Sequence, residues 1–314
     1  MVLCAVLTSC YSEIEFDDLM PQPVPVINAI ASPDTVVIAS ISRTYTENED
    51  VTDLYLKDAD VELTVNGSYS EKMQMVEFDT VDGFTHSPRH VVAYVSNYRP
   101  QPGDRIELSA ATIYGEARSS DVVPSPVEIK GVEMDVVHNA YSHYSYDVTY
   151  HVKFHDPAGV KNYYLVNMSS SDYSYQNGVY LDYIDPLFEM QNQDITDIGS
   201  ENSLRNGWGW TFSDETIDGL DYSLSLRETG VSLSGSGGGY YGESSNRTVR
   251  LYSVSENYYK YLRSVLKDEQ RDESAIGDIG ILEPVVIYSN IEGGTGIFGS
   301  ACMEEMTFSI TKPE

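Results

Sequence analysis

The feature that most restricts how this chain can fold is a strict period-two alternation of apolar and polar residues. Only a strand with one buried face satisfies it. In Asp60-Val61-Glu62-Leu63-Thr64-Val65 the residues Val61, Leu63 and Val65 share a face, and Asn66-Gly67 follows, the dipeptide best suited to a tight hairpin turn. A longer example sets Val148, Tyr150, Val152 and Phe154 on one face and Thr149, His151, Lys153 and His155 on the other. Twenty-five tyrosines, with abundant Ser, Thr and Val and frequent Gly and Pro turns, favour strands throughout.

Taken in order, the chain divides into two β-rich units. Val26–Ala31 is expected as a first strand, Ser32-Pro33-Asp34 as a turn and Thr35–Ser42 as a second strand. Pro102-Gly103-Asp104 turns into a strand carrying Ile106 and Leu108. The spacing of short strands over residues 26–125 predicts an immunoglobulin-like β-sandwich that ends near Pro124-Ser125-Pro126. Residues 126–314 are expected to form a larger β-sandwich or barrel-like domain with one helix. The alternating strand through Phe154, the turn Asp156-Pro157-Ala158-Gly159 and the strand Asn162–Met168 predict a hairpin. Residues 172–212 suggest loops with short strands, Leu220–Leu226 another strand, and Gly235–Gly239 a mobile loop. Ser253 with Glu256 predicts a capping box opening a helix over 254–269, with Tyr258, Leu262, Val265 and Leu266 as its apolar stripe. Val285–Tyr288 and Met306–Ile310 are expected as strands.

The start of the chain carries a different signal. A short apolar run, Val2–Leu7, is followed by Thr8-Ser9-Cys10. It is too short to span a bilayer and fits the core of a signal peptide. An apolar run closing on two small or polar residues and then Cys resembles a bacterial lipobox. Residues 1–10 are thus expected to be a lipoprotein signal ending at an acylated Cys10. Residues 11–25 would be a tether, acidic at first and Pro-rich from Leu19 to Pro25. Lipid on Cys10 would then be the membrane attachment. Ser12 and the acids after Cys10 resemble a surface-export signal, although Ile14 and Phe16 interrupt it.

Composition narrows the partners. The net charge is −30, from 49 acidic and 19 basic residues. This argues against nucleic acid and against adsorption to anionic lipid. Of three cysteines, Cys4 lies in the leader and Cys10 at the acylation point, which leaves Cys302, expected to be a buried structural thiol.

Several motifs lack the context their chemistry needs. Gly294-Thr295-Gly296-Ile297-Phe298-Gly299 matches a dinucleotide-loop pattern, but no helix and no distant acid follow it. His151 and His155 are spaced as a helical zinc pair, yet on a strand they stand about 13 Å apart. His86 and His90 have no evident third ligand nearby. Carboxylate pairs such as Asp182 with Asp185 and Asp194 with Asp197 are expected by chance among so many acids. No catalytic residue, metal or cofactor is therefore expected. A weaker signal is an aromatic cluster, from which Tyr173, Tyr175, Trp208, Trp210, Tyr240 and Tyr241 are the candidate contact surface.

Four segments together resemble a known family. They are the lipobox start, Asn162–Val166 after the Asp156-Pro157 turn, Ser255–Leu262, and Pro284–Gly299. In that order they are similar to the Bacteroidota lipoprotein family filed as domain of unknown function 4249, over nearly all of the mature chain. The resemblance implies an outer-membrane or surface lipoprotein, of a kind often encoded beside TonB-dependent transporters, with no established catalytic residues. It implies a structural turn for Asn290–Gly299. The functional expectation is a non-enzymatic accessory or binding partner of such a transporter in nutrient uptake. The alternatives are a cell-surface adhesion or pilus-type lipoprotein and a surface hydrolase.

Overall fold

The computed structural model describes residues 22–45, 49, 54–81, 88–142, 145–170, 179, 181–191, 209–233, 244–272 and 286–313. The fold is mostly β and is not a closed barrel. The first strand, β1 (Pro25–Ala31), pairs antiparallel with β2 (Ile38–Arg43), as its buried, alternating Ile27, Ala29 and Ala31 require. The predicted Asp60–Val65 strand is β3, and it turns into β4 (Tyr69–Lys72). Asn66 and Gly67 both adopt left-handed φ there, 52° and 64°, as a primed hairpin turn demands. Next come β5 (Gln74–Val81), β6 (Pro88–Val95), β7 (Arg105–Thr112) and β8 (Gly115–Val122).

The second unit contains β9 (Ile129–His138), β10 (Ser145–His155), β11 (Tyr163–Ser170), the short helix α1 (Pro186–Gln191), β12 (Trp210–Ser213), β13 (Asp221–Ser232), β14 (Ser244–Val254), helix α2 (Glu256–Asp272) and β15 (Thr295–Thr311). Helix α1 and strand β12 fall where loops with short strands were expected.

Strand β15 joins the two units. Its first part, Thr295–Ser300, pairs parallel with β1, and its second part, Ala301–Thr311, pairs antiparallel with β14. One sheet of order β12-β11-β14-β15-β1-β2-β6-β5 results, with β15 changing partner between Ser300 and Ala301. Over its β15-β1-β2-β6 part it faces the sheet β4-β3-β7-β8, with β5 beyond the shared core, and over its other part the sheet β13-β10-β9. Two sandwiches thus share one strand. The first core gathers Ile27, Ile41, Leu63, Ile106 and Leu108, but it also takes Ile291 and Phe298 from the far end of the chain. Residues 26–125 therefore do not close the first sandwich alone.

The expected hairpin of β10 and β11 does not form. Both edges of β10 are occupied, by β9 and β13, and both edges of β11 by β12 and β14. The chain crosses from one sheet to the other, and the strands meet face to face, with Phe154 and Tyr164 ring centroids 5.6 Å apart. The reason lies in Tyr163-Tyr164-Leu165-Val166, which is buried at every position. Such a strand needs cover on both faces and belongs in the middle of a covered sheet.

The cap of helix α2 lies two residues after the expected one. Ser255 is the cap: its Oγ accepts from Tyr258 N at 3.2 Å and its carbonyl from Tyr259 N at 2.9 Å. Ser253 instead lies within β14, one residue before its end, buried, and its hydroxyl finds no partner among the described residues. The apolar stripe holds, with Leu262 and Leu266 buried and Tyr258 and Val265 packed beside them. Residues 286–290 are not a strand. Tyr288 N donates to Ser264 Oγ at 2.9 Å and its hydroxyl to Asn257 Oδ1 at 2.7 Å, so the segment is tied to α2 instead.

The glycines of the 293–299 segment are explained by close approach. Gly296 has φ 105°, and a Cβ there would lie 2.2 Å from Ile27 O; at Gly299 it would lie 2.7 Å from Tyr258 Cβ. The pattern lies mostly within the start of β15, where it serves the packing of that strand on β1 and α2, and strand rather than helix follows Gly299. Cys302 is buried, and burial pushes its thiol pKa up. At the junction of the sandwiches, the buried Asp121 of β8 accepts from Asn257 Nδ2 at 3.1 Å, and Ser119 Oγ donates to Asn290 O at 2.9 Å.

Candidate binding cleft

Beside the β10–β11 crossing lies a cleft of about 500 Å³. Its walls are the crossing itself (Gly159, Val160, Lys161), the start of β11 (Tyr163), the β12–β13 turn (Asp214, Glu215, Asp218) and the first turn of α2 (Glu256, Tyr259, Lys260). The local sequence explains why these pieces converge. Asp156 is fully buried directly after β10. Its Oδ1 accepts from Tyr164 Oη and from Asn162 Nδ2, and its Oδ2 accepts from Gly219 N at 3.0 Å. Asp214 Oδ2 accepts from Asn162 N at 2.6 Å, and Asp218 Oδ1 from Gly159 N at 2.7 Å. Each carboxylate pins the crossing to the β12–β13 turn.

These three carboxylates lie within 4.8 Å of one another. Oxygen donors so grouped are the kind that a hard divalent cation takes. Here, however, both Asp156 oxygens are engaged by protein donors, and the cluster is accounted for as the lock of the crossing. Burial raises the Asp214 carboxyl above the ordinary carboxylate range, with smaller contributions from Asp156 and Asp218. Burial and the bond to Asp156 likewise push the Tyr164 phenol far up, so it remains a donor.

The other wall is aromatic and cationic. Tyr163 and Tyr259 rings lie 4.6 Å apart, Lys161 Nζ sits 5.3 Å from the Tyr163 ring, and Lys260 Nζ pairs with Glu256 at 2.9 Å. The Glu256 carboxyl is lowered, first by that Lys260 bond. No histidine or cysteine lines the cleft among the described residues. Rings beside both signs of charge suit the binding of a small polar ligand. Sequence reasoning missed this site. The signal available was the density of Asp and Gly in the two turns, Asp156-Pro157-Ala158-Gly159 and Asp214-Glu215-Thr216-Ile217-Asp218-Gly219.

The expected contact surface fares differently. Trp210 is not presented on a loop: it opens β12, is 1% exposed, and packs 5.5 Å from Tyr183. A large ring on a strand in a covered sheet is worth more buried than displayed. Tyr173, Tyr175, Trp208, Tyr240 and Tyr241 lie outside the described residues, as do Cys10, His86 and the Gly235–Gly239 segment. The strand ends that flank them do meet. Ser170 is paired with Arg247, and Ser145 with Ser232, and Arg247 reaches across to Glu228 on the opposing sheet, Nη2 to Oε1 at 2.8 Å. The ends of β10, β11, β13 and β14 that carry Ser145, Ser170, Ser232 and Arg247 therefore lie together at one end of the second sandwich. His151 and His155 are engaged separately, with Asp135 and Asp221.

No curated protein matches the chain. One family model does, over residues 12–305, so the chain belongs to the family described as a domain of unknown function (DUF4249).

Proposed function

We propose that this is a lipid-anchored binding protein of the bacterial outer membrane, of the Bacteroidota type, held at the cell surface through Cys10. It acts as a non-enzymatic accessory of a TonB-dependent transporter in nutrient uptake. The observation that carries the reading is the convergence of strand ends at one end of the second sandwich. In sequence, Tyr173 and Tyr175 follow the Ser170 end of β11, and Tyr240 and Tyr241 precede the Ser244 end of β14; connections between sandwich strands are the usual seat of recognition. The lipobox gives the anchor, and residues 11–25 give the spacer before β1 begins at Pro25. The polar cleft at the β10–β11 crossing offers a second place for a small ligand. Binding rather than catalysis is favoured because the close carboxylates Asp156, Asp214 and Asp218 are committed to backbone and side-chain donors.

The test is fractionation of cells expressing the wild type and Cys10→Ala. The proposal expects the wild type in the outer-membrane fraction, acylated at Cys10 by mass spectrometry, and the variant in the soluble fraction. A variant that stays in the membrane would refute the anchor.

A further inference from the structure

Strand β5 differs from the other described strands: all eight of its residues are exposed. It pairs with β6 along its whole length, from Gln74↔Val95 to Val81↔Pro88, and its other edge has no strand partner among the described residues. The result is a two-stranded ribbon at the end of the first sandwich, whose outer row of backbone donors and acceptors pairs with no described strand. Exposed edges of this length are normally blunted or covered, because they pair with any extended segment that fits.

The two faces of the ribbon carry different chemistry. Val76 and Phe78 share one face with Ala93 and Val91, and Phe78 is 50% exposed. Glu77 and Asp79 share the other with Val92 and His90. Glu77 is bonded by Lys57 at 2.9 Å and by His90 at 3.1 Å, whereas the Asp79 side chain is 87% exposed, with His90 at 2.8 Å. A strand added to this edge would lay alternate side chains along an apolar strip and along a row of acids.

A second copy fits that edge poorly. An antiparallel register placing Phe78 opposite Phe78 sets Glu77 opposite Asp79, and like charges facing each other destabilise a pair. The net charge of −30 adds repulsion between copies. We infer that the β5 edge is a docking site for an extended segment of another protein, one that alternates apolar and basic residues, bound by strand addition. This goes beyond the proposed anchor and transporter role and does not depend on either.

The experiment uses the full chain and three eight-residue peptides. One alternates Val and Lys, one has the same composition in two blocks, and one alternates but is N-methylated along one edge of its backbone. The expected result is a Kd for the first at least about tenfold lower than for the other two. Phe78→Ser and Val76→Ser, both at exposed positions, should each shrink that difference while leaving the melting temperature unchanged. Equal binding of alternating and block peptides would mean charge attraction only and would overturn the inference. Persistence of the difference in both variants would overturn it too, as would sedimentation of the chain as a dimer that Phe78→Ser dissociates.

Discussion

At the residue scale, the second sandwich depends on a few buried polar atoms. Asp156 accepts three hydrogen bonds, from Tyr164, Asn162 and Gly219, at the point where the chain changes sheets. Asp156→Ala leaves those donors without their acceptor. At about 1–3 kcal/mol for an unsatisfied buried group, the variant should lose on the order of 3 kcal/mol in urea unfolding. Asp156→Asn, which keeps one acceptor oxygen, should lose less; equal losses would show that the side chain only fills space. The glycines give a paired expectation. Gly296→Ala combines a left-handed φ with a Cβ 2.2 Å from Ile27 O, and should cost more than the 1–3 kcal/mol typical of local strain alone. Gly67→Ala has the same sign of φ but open space, and should cost only about 1 kcal/mol. Thermal unfolding of the two variants checks the difference. Much of this was legible: Asn66-Gly67 marks its own turn, and the glycines before Gly299 announce close approach. The role of Asp156 was not, because its partners lie in three separate segments.

At the scale of elements, alternation located β3, β7 and β10 because each has one buried and one wet face. It misjudged what followed β10, since a turn dipeptide says that the chain reverses but not in which sheet it continues. Distinguishing a hairpin from a crossing needed the continuous burial of Tyr163–Val166. The cap of α2 was misplaced for a similar reason: both Ser253 and Ser255 precede the apolar stripe, and only the pairing of Ser253 within β14 decides between them. The two sheets of the second sandwich are tied by the buried Arg247 on β14 and the half-buried Glu228 on β13, with Tyr150 Oη donating to Glu228 at 2.6 Å. Arg247→Ala should cost about 2–4 kcal/mol, because it leaves the half-buried Glu228 carboxylate with Tyr150 but without its cation, whereas replacing both partners by apolar residues should cost much less. A double-mutant cycle in urea measures this. On the β5–β6 ribbon, bonds from Asp79 and then Glu77 raise the His90 pKa above 6.5. Its charged contacts are therefore complete below the unfolded-state pKa and are lost as pH rises through the higher folded value. Histidine-resolved NMR titration should find His90 above 6.5; a value at or below it would show that those bonds do not form in solution.

At the scale of the molecule, the organising fact is β15, which gives its first part to one sandwich and its second part to the other. No local pattern reports this. Strand spacing and the proline-rich stretch at 124–126 suggested two β-rich units, whereas the parallel pairing of β1 with β15 joins residues far apart in the chain, which spacing does not report. The candidate sites are of unequal kinds: a polar cleft at the sheet crossing, the strand ends that converge at one end of the second sandwich, and a strand edge with no partner among the described residues. All three suit a protein that works by contact from a lipid anchor. Gentle detergent extraction of the tagged native protein, followed by mass spectrometry of what co-purifies, tests that account most directly. The account predicts a stoichiometric outer-membrane barrel together with acylation at Cys10. Recovery of the protein alone in good yield, or without lipid on Cys10, would contradict it.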